Sequence, residues 1–269
     1  MRDTMEKRTT LRGLAGELAA LSRELGREER ALAILGEGNT SARIDGRSFL
    51  VKASGKRMGR AVAADFLPMD TRKVMAVVDG PKIDDLAVMK ALRDAIVPGG
   101  PAGVQPSTEG FLHALCLTEG EANWVGHTHP VAPLMILCSR MGARPFLRGL
   151  FPDEIVYCGK VPLVMPYTAP GVPFARLLRT RMREYRRRNG YPPRLIVQLN
   201  HGIIALGATA DEVLNVTLMC NKWARILVGT LGLGGTRHLT GAQASHIDKW
   251  PAEHYRRRLL LGKAGGKAS

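Results

Sequence analysis

Long apolar runs, paired cysteines and aromatic residues are scarce in this sequence. No apolar run approaches the roughly 20 residues that a membrane-spanning helix needs. The charged residues 1–8 are not followed by the apolar segment of a secretory signal. The four cysteines, at positions 116, 138, 158 and 220, include no Cys-x-x-Cys pair, which argues against a redox motif or a zinc ribbon. We therefore expect a soluble, cytoplasmic protein with reduced thiols and no membrane partner.

Acidic residues are few relative to basic ones. The chain has 39 Lys and Arg residues against 24 Asp and Glu residues, a formal net charge of +15. Much of this excess is local, in residues 179–194 and 256–267. The few aromatic residues are not interleaved with the basic ones in a known RNA-binding pattern. Specific nucleic-acid binding is therefore not expected, whereas a small phosphorylated substrate would suit the positive field.

The length and composition favour one domain over residues 1–269, with its core at about 11–230 and a basic, less ordered tail at about 232–269. Leucines at steps of three and four predict a helix over 11–25. A hairpin is predicted at 42–51, turned by Asp45-Gly46. Strands are predicted at 154–158, 161–165 and 195–199, and a flexible loop at 98–103.

Two histidines separated by one residue, His127 and His129, follow an apolar stretch and precede a proline. Alternate residues of a strand project to the same face, so both imidazoles are expected to point to one place. A catalytic metal site typically takes three protein ligands. His201, which follows the predicted strand at 195–199, is the candidate third ligand. A lone His-x-His pair would more often be a polar loop end, so the rest of the chain decides between the two interpretations.

Two turns rich in small residues, at 36–41 and 53–56, fit a cradle for a phosphate group. Glycine lets backbone N–H groups approach an anion without an obstructing Cβ. Neither turn matches the P-loop or the dinucleotide fingerprint, and turns of this composition are usually only turns.

A helix is predicted to open at Ser107 or Thr108 as N-cap, with Glu109 in its first turn. The helix dipole alone would explain a carboxylate at that position. His113, one turn further on, is either a packed histidine or a residue that supports a site. We favour packing.

Six short motifs occur in a fixed order along the chain: Gly38-Asn39-Thr40-Ser41, Ala53-Ser54-Gly55, Ser107-Thr108-Glu109, His127-Thr128-His129-Pro130, Pro166-Tyr167 with Pro170-Gly171, and Asn200-His201-Gly202. In order and spacing they resemble the class II aldolase/adducin family. That family includes fuculose-phosphate and rhamnulose-phosphate aldolases, ribulose-phosphate 4-epimerase and sugar-acid-phosphate decarboxylases. The resemblance implies a three-layer α/β/α domain with a mostly antiparallel central sheet. It also implies a homotetramer with active sites between subunits.

The resemblance further implies roles for single residues. Zn²⁺, or another divalent ion such as Mn²⁺, Co²⁺ or Fe²⁺, would bind at His127, His129 and His201. Glu109 would be the acid/base residue. The substrate phosphate would be held by Gly38, Asn39, Ser54, Gly55, Ser107 and Thr108. Aldolases of the family also use tyrosines as proton donors; residues 145–151 contain none, and Tyr255 in the tail is the loose candidate.

The function that follows from the resemblance is that of a zinc-dependent aldolase. Such a lyase would cleave a phosphorylated ketose, or decarboxylate a 3-oxo sugar-acid phosphate, through a metal-stabilised enediolate. A sugar-phosphate 4-epimerase or dehydratase on the same scaffold is the first alternative. A non-catalytic interaction module like the adducin head is the second, and the three histidines together with Glu109 count against it.

Overall fold

The computed structural model describes residues 2–98 and 103–260, and a mixed sheet runs through its centre. The strands are β1 (Asn39–Arg43), β2 (Ser48–Lys52), β3 (Phe66–Asp70), β4 (Trp124–Thr128), β5 (Leu163–Met165), β6 (Leu195–Gln198) and β7 (Gly202–Gly207). Their order across the sheet is β3-β2-β1-β4-β7-β6-β5. Neighbours pair antiparallel except β5 and β6, which are parallel.

Helices cover both faces of this sheet. They are α1 (Arg2–Leu25), α2 (Thr71–Asp79), α3 (Asp85–Asp94), α4 (Gly110–Thr118), α5 (Val131–Leu137), α6 (Pro152–Cys158), α7 (Val172–Asn189), α8 (Ala210–Leu231), α9 (Gly241–Lys249) and α10 (Pro251–Leu260). Among the described residues, no helix combines the length and the apolar character needed to cross a membrane.

Successive residues of a strand point to opposite faces of the sheet, so each face of the sheet has its own hydrophobic core. On β7, Ile203 and Ala205 pack with α1, α5, α6 and α8, whereas Ile204 and Leu206 pack with α2, α4 and α7. A strand whose two faces are both covered is apolar at consecutive positions, as 203–206 are. The three-layer α/β/α architecture with a mostly antiparallel sheet is therefore confirmed.

The predicted hairpin is confirmed, but the predicted strand at 154–158 is wrong. Arg43 pairs with Phe49 across the hairpin, and the Asp45 carboxylate accepts backbone hydrogen bonds inside its turn. Residues 154–158 belong to helix α6. A proline in the first turn and the side chain of Glu154, which accepts from the N–H of Leu150, favour a helix start there. A short apolar run cannot distinguish the two structures by periodicity alone.

The tail contains more regular structure than its composition predicts. Thr240 caps α9 through the N–H of Gln243, and α9 packs on α6 through Ala244 and Ile247. Arg256 of α10 pairs with Asp153 of α6 at 2.7 Å. Residues 261–269 and most of the predicted loop at 98–103 lie outside the described residues.

The arginine cluster of α7 is largely paired within the chain. Arg176 donates to carbonyl groups at the end of α2. Ion pairs join the other arginines to three carboxylates: Arg179 to Asp79 and Glu119, Arg183 to Glu119, and Arg186 to Glu121. These arginines recur at steps of three and four along one side of the helix. Part of the strong positive charge therefore ties α7 to its neighbours.

Glu154 is fully buried, and burial raises the pKa of its carboxyl from 4.5 to about 8 despite hydrogen bonds from Leu150 and Phe151. The folded state therefore holds this proton more tightly than the unfolded state does. Its contribution to stability is complete below about pH 4.5 and declines, by at most about 1.4 kcal/mol per pH unit, as the pH rises through 8.

We expect Glu154→Gln to flatten the decline of unfolding free energy between pH 5 and 8, because the amide does not titrate. Urea unfolding at several pH values, with Glu17→Gln on the exposed side of α1 as control, measures this difference. Identical slopes in the wild type and both variants would contradict the assignment.

Candidate active site

Three histidines converge where the central strands end. The Nε2 atom of His127 lies 3.0 Å from Nε2 of His129 and 3.1 Å from Nε2 of His201. The pairing register explains the meeting, because Thr128 is opposite Ile203 across β4 and β7, so the residue after β4 lies beside the turn before β7. The structure thus brings together all three candidate ligands that were chosen from the sequence.

The turn before β7 holds its histidine in a close-packed site. Asn200 has a left-handed backbone (φ 54°), and His201 donates its N–H to the carbonyl of Gln198 at 3.3 Å. A Cβ on Gly202 would lie 2.5 Å from the carbonyl oxygen of Thr128 and 2.8 Å from the ring of His129. Only glycine permits that approach of β7 to the His-x-His segment.

The spacing of these nitrogens suits a divalent ion. Two nitrogens bound tetrahedrally at about 2.0–2.1 Å from Zn²⁺ lie about 3.3 Å apart. The observed separations of 3.0 and 3.1 Å are close to that value. Glu109 Oε1 lies 3.3 Å from Nε2 of His127 and 3.2 Å from Nε2 of His201, at a similar spacing. The residues present therefore fit a metal site held by the three imidazoles, with the Glu109 carboxylate beside it.

The far sides of two imidazoles are also engaged. Nδ1 of His127 donates to the carbonyl of Ile203 at 2.9 Å, which leaves Nε2 free to bind a metal. Nδ1 of His129 lies 3.6 Å from Glu37 Oε2, a buried carboxylate atom that forms no hydrogen bond among the described residues. Burial, with the charges of His127 and His201, lowers the pKa of His129 to about 3, so this ring is neutral as a ligand must be.

Glu109 is the residue at the start of α4, yet its side chain does not cap the helix. The predicted N-cap, Ser107 or Thr108, is displaced by one or two residues, because the helix begins at Gly110. Ser107 Oγ instead accepts from the N–H of Glu109 at 3.3 Å. The Glu109 carboxylate turns to the histidines and accepts from Asn39 Nδ2 at 2.6 Å.

The electrostatic surroundings keep Glu109 ionised. Burial acts to raise the pKa of its carboxyl, but in the metal-free site the charge of a protonated His127 and hydrogen bonds from His127, His201 and Asn39 outweigh it and hold the pKa well below the usual value. The same carboxylate raises the pKa of His127 against the effect of burial. The carboxylate is therefore ionised and acts as a hydrogen-bond acceptor in the site.

The two small-residue turns lie beside this carboxylate. Ala53 forms an isolated bridge with Pro106, and Ser54 donates its N–H to the carbonyl of Gln105 at 2.9 Å. Asn39 Nδ2 reaches Ser107 Oγ at 3.2 Å, which joins the first turn to the same place. The exposed residues of the cradle are Ser54, Gly55 and Thr108.

Two of the cradle glycines have left-handed backbones. Gly38 (φ 72°) has no room for a side chain, since a Cβ would lie 2.8 Å from the carbonyl oxygen of His127. Gly55 (φ 74°) faces open space instead, with no atom of the described residues within 4 Å of such a Cβ. An anion could occupy the space beside Gly55.

Lys52 is a residue of this region that the sequence analysis missed. Its side chain is buried, and its ammonium donates to the carbonyls of Ala53 and Lys56, which fixes the second turn. Burial lowers the pKa of Lys52, whereas the charges of Asp65 and Glu109 raise it. The sequence feature that could have identified Lys52 is a lysine at the end of an otherwise apolar strand.

Tyr255 is not on one of the elements that form this site. It is on α10, with 58% of its surface exposed, and α10 packs on α6. Its role as a proton donor stays a prediction. Tyr167, in the loop before α7, is 60% exposed as well.

The fold and the site together define an α/β protein with a candidate metal centre at the end of its central strands. A family model described as the class II aldolase and adducin N-terminal domain matches residues 16–228. The match covers most of the chain, so the protein belongs to that family. A comparison with curated protein sequences gave no match.

Solved structures with the same fold include several sugar-phosphate aldolases. The L-fuculose-1-phosphate aldolase of Thermus thermophilus is 21% identical, with a TM-score of 0.57, over 83% of this chain and 99% of its own. The Escherichia coli protein YgbL, assigned provisionally as an aldolase, epimerase or decarboxylase, is 16% identical, with a TM-score of 0.65, over 89% and 99%. The class II aldolase domain of a Thermoplasma acidophilum protein is 24% identical, with a TM-score of 0.61, over 79% and 92%.

Proposed function

We propose that this protein is a zinc-dependent lyase that acts on a phosphorylated ketose or on a 3-oxo sugar-acid phosphate. The observation that carries the proposal is the convergence of three imidazoles beside the Glu109 carboxylate, with Nε2 of His127 at 3.0 and 3.1 Å from Nε2 of the other two histidines. Membership of the class II aldolase family and the fold shared with fuculose-phosphate aldolases support the substrate class.

Each group has a defined task in this proposal. A divalent ion held by the three histidines supplies Lewis-acid stabilisation of negative charge on the substrate oxygens. Glu109, whose carboxylate lies beside the metal-binding histidines, takes up or returns the proton at the reacting carbon. Ser54, Gly55 and Ser107 hold the phosphate through hydroxyl and backbone N–H groups, with Thr108 at the exposed rim.

An epimerase or dehydratase activity on the same site is the second candidate. It would use the same ligands and the same carboxylate, because all of these reactions develop negative charge on the oxygen of a bound sugar. The similarity to YgbL, whose provisional assignment includes an epimerase, supports this second candidate.

A substrate screen tests the proposal and separates the candidates. Phosphorylated sugars and 3-oxo sugar-acid phosphates are incubated with zinc-loaded protein, and the products are identified by mass spectrometry. We expect cleavage or loss of CO₂ for at least one substrate, and no reaction with chelator-treated protein. A change of stereochemistry or loss of water instead would select the second candidate. No metal-dependent turnover of any phosphorylated compound would contradict both.

Glu37 provides a separate prediction about the metal site. Its carboxylate lies beside Nδ1 of His129, where carboxylate partners orient ligand imidazoles. We expect Glu37→Gln to weaken Zn²⁺ affinity about tenfold and Glu37→Ala somewhat more, since such partners contribute about 10–100-fold. Competition with a chromophoric chelator measures the affinity, with the exposed Glu28→Gln as control. Unchanged affinity in both Glu37 variants would rule out this role.

Assembly into a homotetramer is the remaining part of the proposal. Apolar side chains stand exposed on α5 and in the segment after it, and again at the end of α8 and just beyond it: Met135, Met141, Leu147, Leu231 and Leu233. Surfaces of this kind mark contacts with other chains. We expect light scattering to give four times the 29.3 kDa of one chain. An active monomer would refute the assembly.

A further inference from the structure

His113 lies one turn into α4 with no exposed surface, between two side chains of β1. Its Nδ1 is 2.6 Å from the hydroxyl of Ser41, and its Nε2 forms a short hydrogen bond with Oδ1 of Asn39. The amide nitrogen of Asn39 donates in turn to Glu109 at 2.6 Å and to Ser107 at 3.2 Å. One unbroken chain of hydrogen bonds therefore runs from β1 through α4 to the Glu109 carboxylate.

The chemistry of Glu109 sets the direction of every bond in this chain. An ionised carboxylate only accepts hydrogen bonds, so Asn39 must present its NH₂ group to Glu109 and its oxygen to His113. The imidazole then has to donate from Nε2. A neutral imidazole has one donor and one acceptor, so Nδ1 accepts the hydroxyl proton of Ser41. Burial lowers the pKa of His113 to about 3, which keeps the ring neutral under physiological conditions.

A histidine that only fills space needs no such partner. The other buried side chains of α4 are apolar, among them Phe111, Leu112 and Leu115, and they pack in the core between α4 and the sheet. The expectation that His113 is a packed histidine therefore describes its burial but not its contacts. The bond from His113 holds the Asn39 side chain at its other end, so the NH₂ group keeps a fixed position against the Glu109 carboxylate.

We propose that His113 is a positioning residue: its Nε2–H fixes the amide of Asn39, and that amide fixes the Glu109 carboxylate for proton transfer. The inference rests on the proposed role of Glu109 and adds the residue that orients it. His113 touches neither the histidine cluster nor the exposed part of the phosphate cradle in the contacts of the described residues. Its effect would therefore pass through Asn39.

The first test is the tautomer of His113 in the zinc-loaded wild-type protein. Long-range ¹H–¹⁵N NMR correlations of the imidazole distinguish a ring protonated at Nε2 from one protonated at Nδ1. We expect the Nε2–H form, together with side-chain amide protons of Asn39 that exchange slowly with solvent. A ring protonated at Nδ1, or at both nitrogens near pH 7, would overturn the proposal. This measurement needs no substrate, so it stands even if the proposed activity fails.

A matched pair of substitutions tests the function of the same bond. His113→Gln can place an N–H near the former Nε2 and keep the donor to Asn39. His113→Asn is shorter and keeps a polar group only near the former Nδ1, beside Ser41. We expect kcat to fall less than about threefold in the Gln variant and more than about tenfold in the Asn variant, since an unmade buried bond to an ionic network is costly. Bound zinc should be equal in both.

The readout is turnover of the substrate found in the screen, or solvent deuterium exchange into dihydroxyacetone phosphate, with thermal unfolding measured alongside. Equal losses of kcat in the two variants at equal folded fraction would show a packing role and overturn the proposal. If neither variant folds, the wild-type tautomer decides alone. Absence of any turnover in the wild type would reject the proposed activity, whereas an Nε2–H ring bonded to Asn39 would still uphold the positioning contact.

Discussion

Replacing Glu109 with glutamine is expected to lower turnover on the order of 100-fold or more while the fold and the metal content persist. The amide has the size of the carboxylate and can still accept the hydrogen bond from Asn39, but it cannot take up a proton. In the structure this carboxylate lies 3.2 and 3.3 Å from two of the three converging imidazoles. No other carboxylate of the described residues has both of these contacts.

If Glu109 served only to stabilise the start of the helix, Glu109→Gln would have a different effect. A carboxylate that only stabilises the start of a helix contributes a few tenths to about 1 kcal/mol, and turnover would stay nearly intact. The geometry already weakens that explanation, because the Glu109 side chain forms no capping hydrogen bond to α4.

The assay follows the true substrate or deuterium exchange from solvent into dihydroxyacetone phosphate, with zinc measured in every sample. Glu119→Gln, at the other end of the same helix, controls for the loss of a carboxylate on α4. An unimpaired Glu109→Gln enzyme that retains its metal would show that another group moves the proton.

Removing the imidazole of His201 is expected to abolish stable metal binding. A site with three protein nitrogens cannot spare one, because affinity depends on the number and geometry of ligands and not on the fold alone. We expect His201→Ala to contain less than about a tenth of the wild-type zinc after dialysis, and to lose metal-dependent thermal stabilisation. His127→Ala and His129→Ala should behave alike.

Elemental analysis and thermal unfolding with and without added zinc measure both effects. His246→Ala, an exposed histidine on α9, is the control that should retain the wild-type metal content. Full metal content in all three cluster variants would reject the site.

The sequence predicts the central features of the site because they depend on short-range periodicity. Alternation along a strand places His127 and His129 on one face, and the buried run at 195–198 places His201 at a strand end. The near-continuous apolar run at 195–199 predicts a central strand. By contrast, the short apolar segment in α6 fits a helix and a strand equally, and only tertiary packing distinguishes them.

Contacts between distant parts of the chain could not be predicted in the same way. The bond from His113 to Asn39 spans 74 positions and that from Asn39 to Glu109 spans 70. Both depend on how α4 lies across β1, which no local pattern specifies. Lys52 and Glu37 were missed for the same reason, since each gains its role from a neighbour brought close by the sheet.

The most direct test of the account is a crystal structure of the zinc-loaded protein with anomalous scattering measured at the zinc edge. We predict one strong anomalous peak per chain, about 2.0–2.1 Å from Nε2 of His127, His129 and His201. A well-ordered, zinc-saturated crystal with no peak among these three nitrogens, or with the ion bound by other residues, would contradict it.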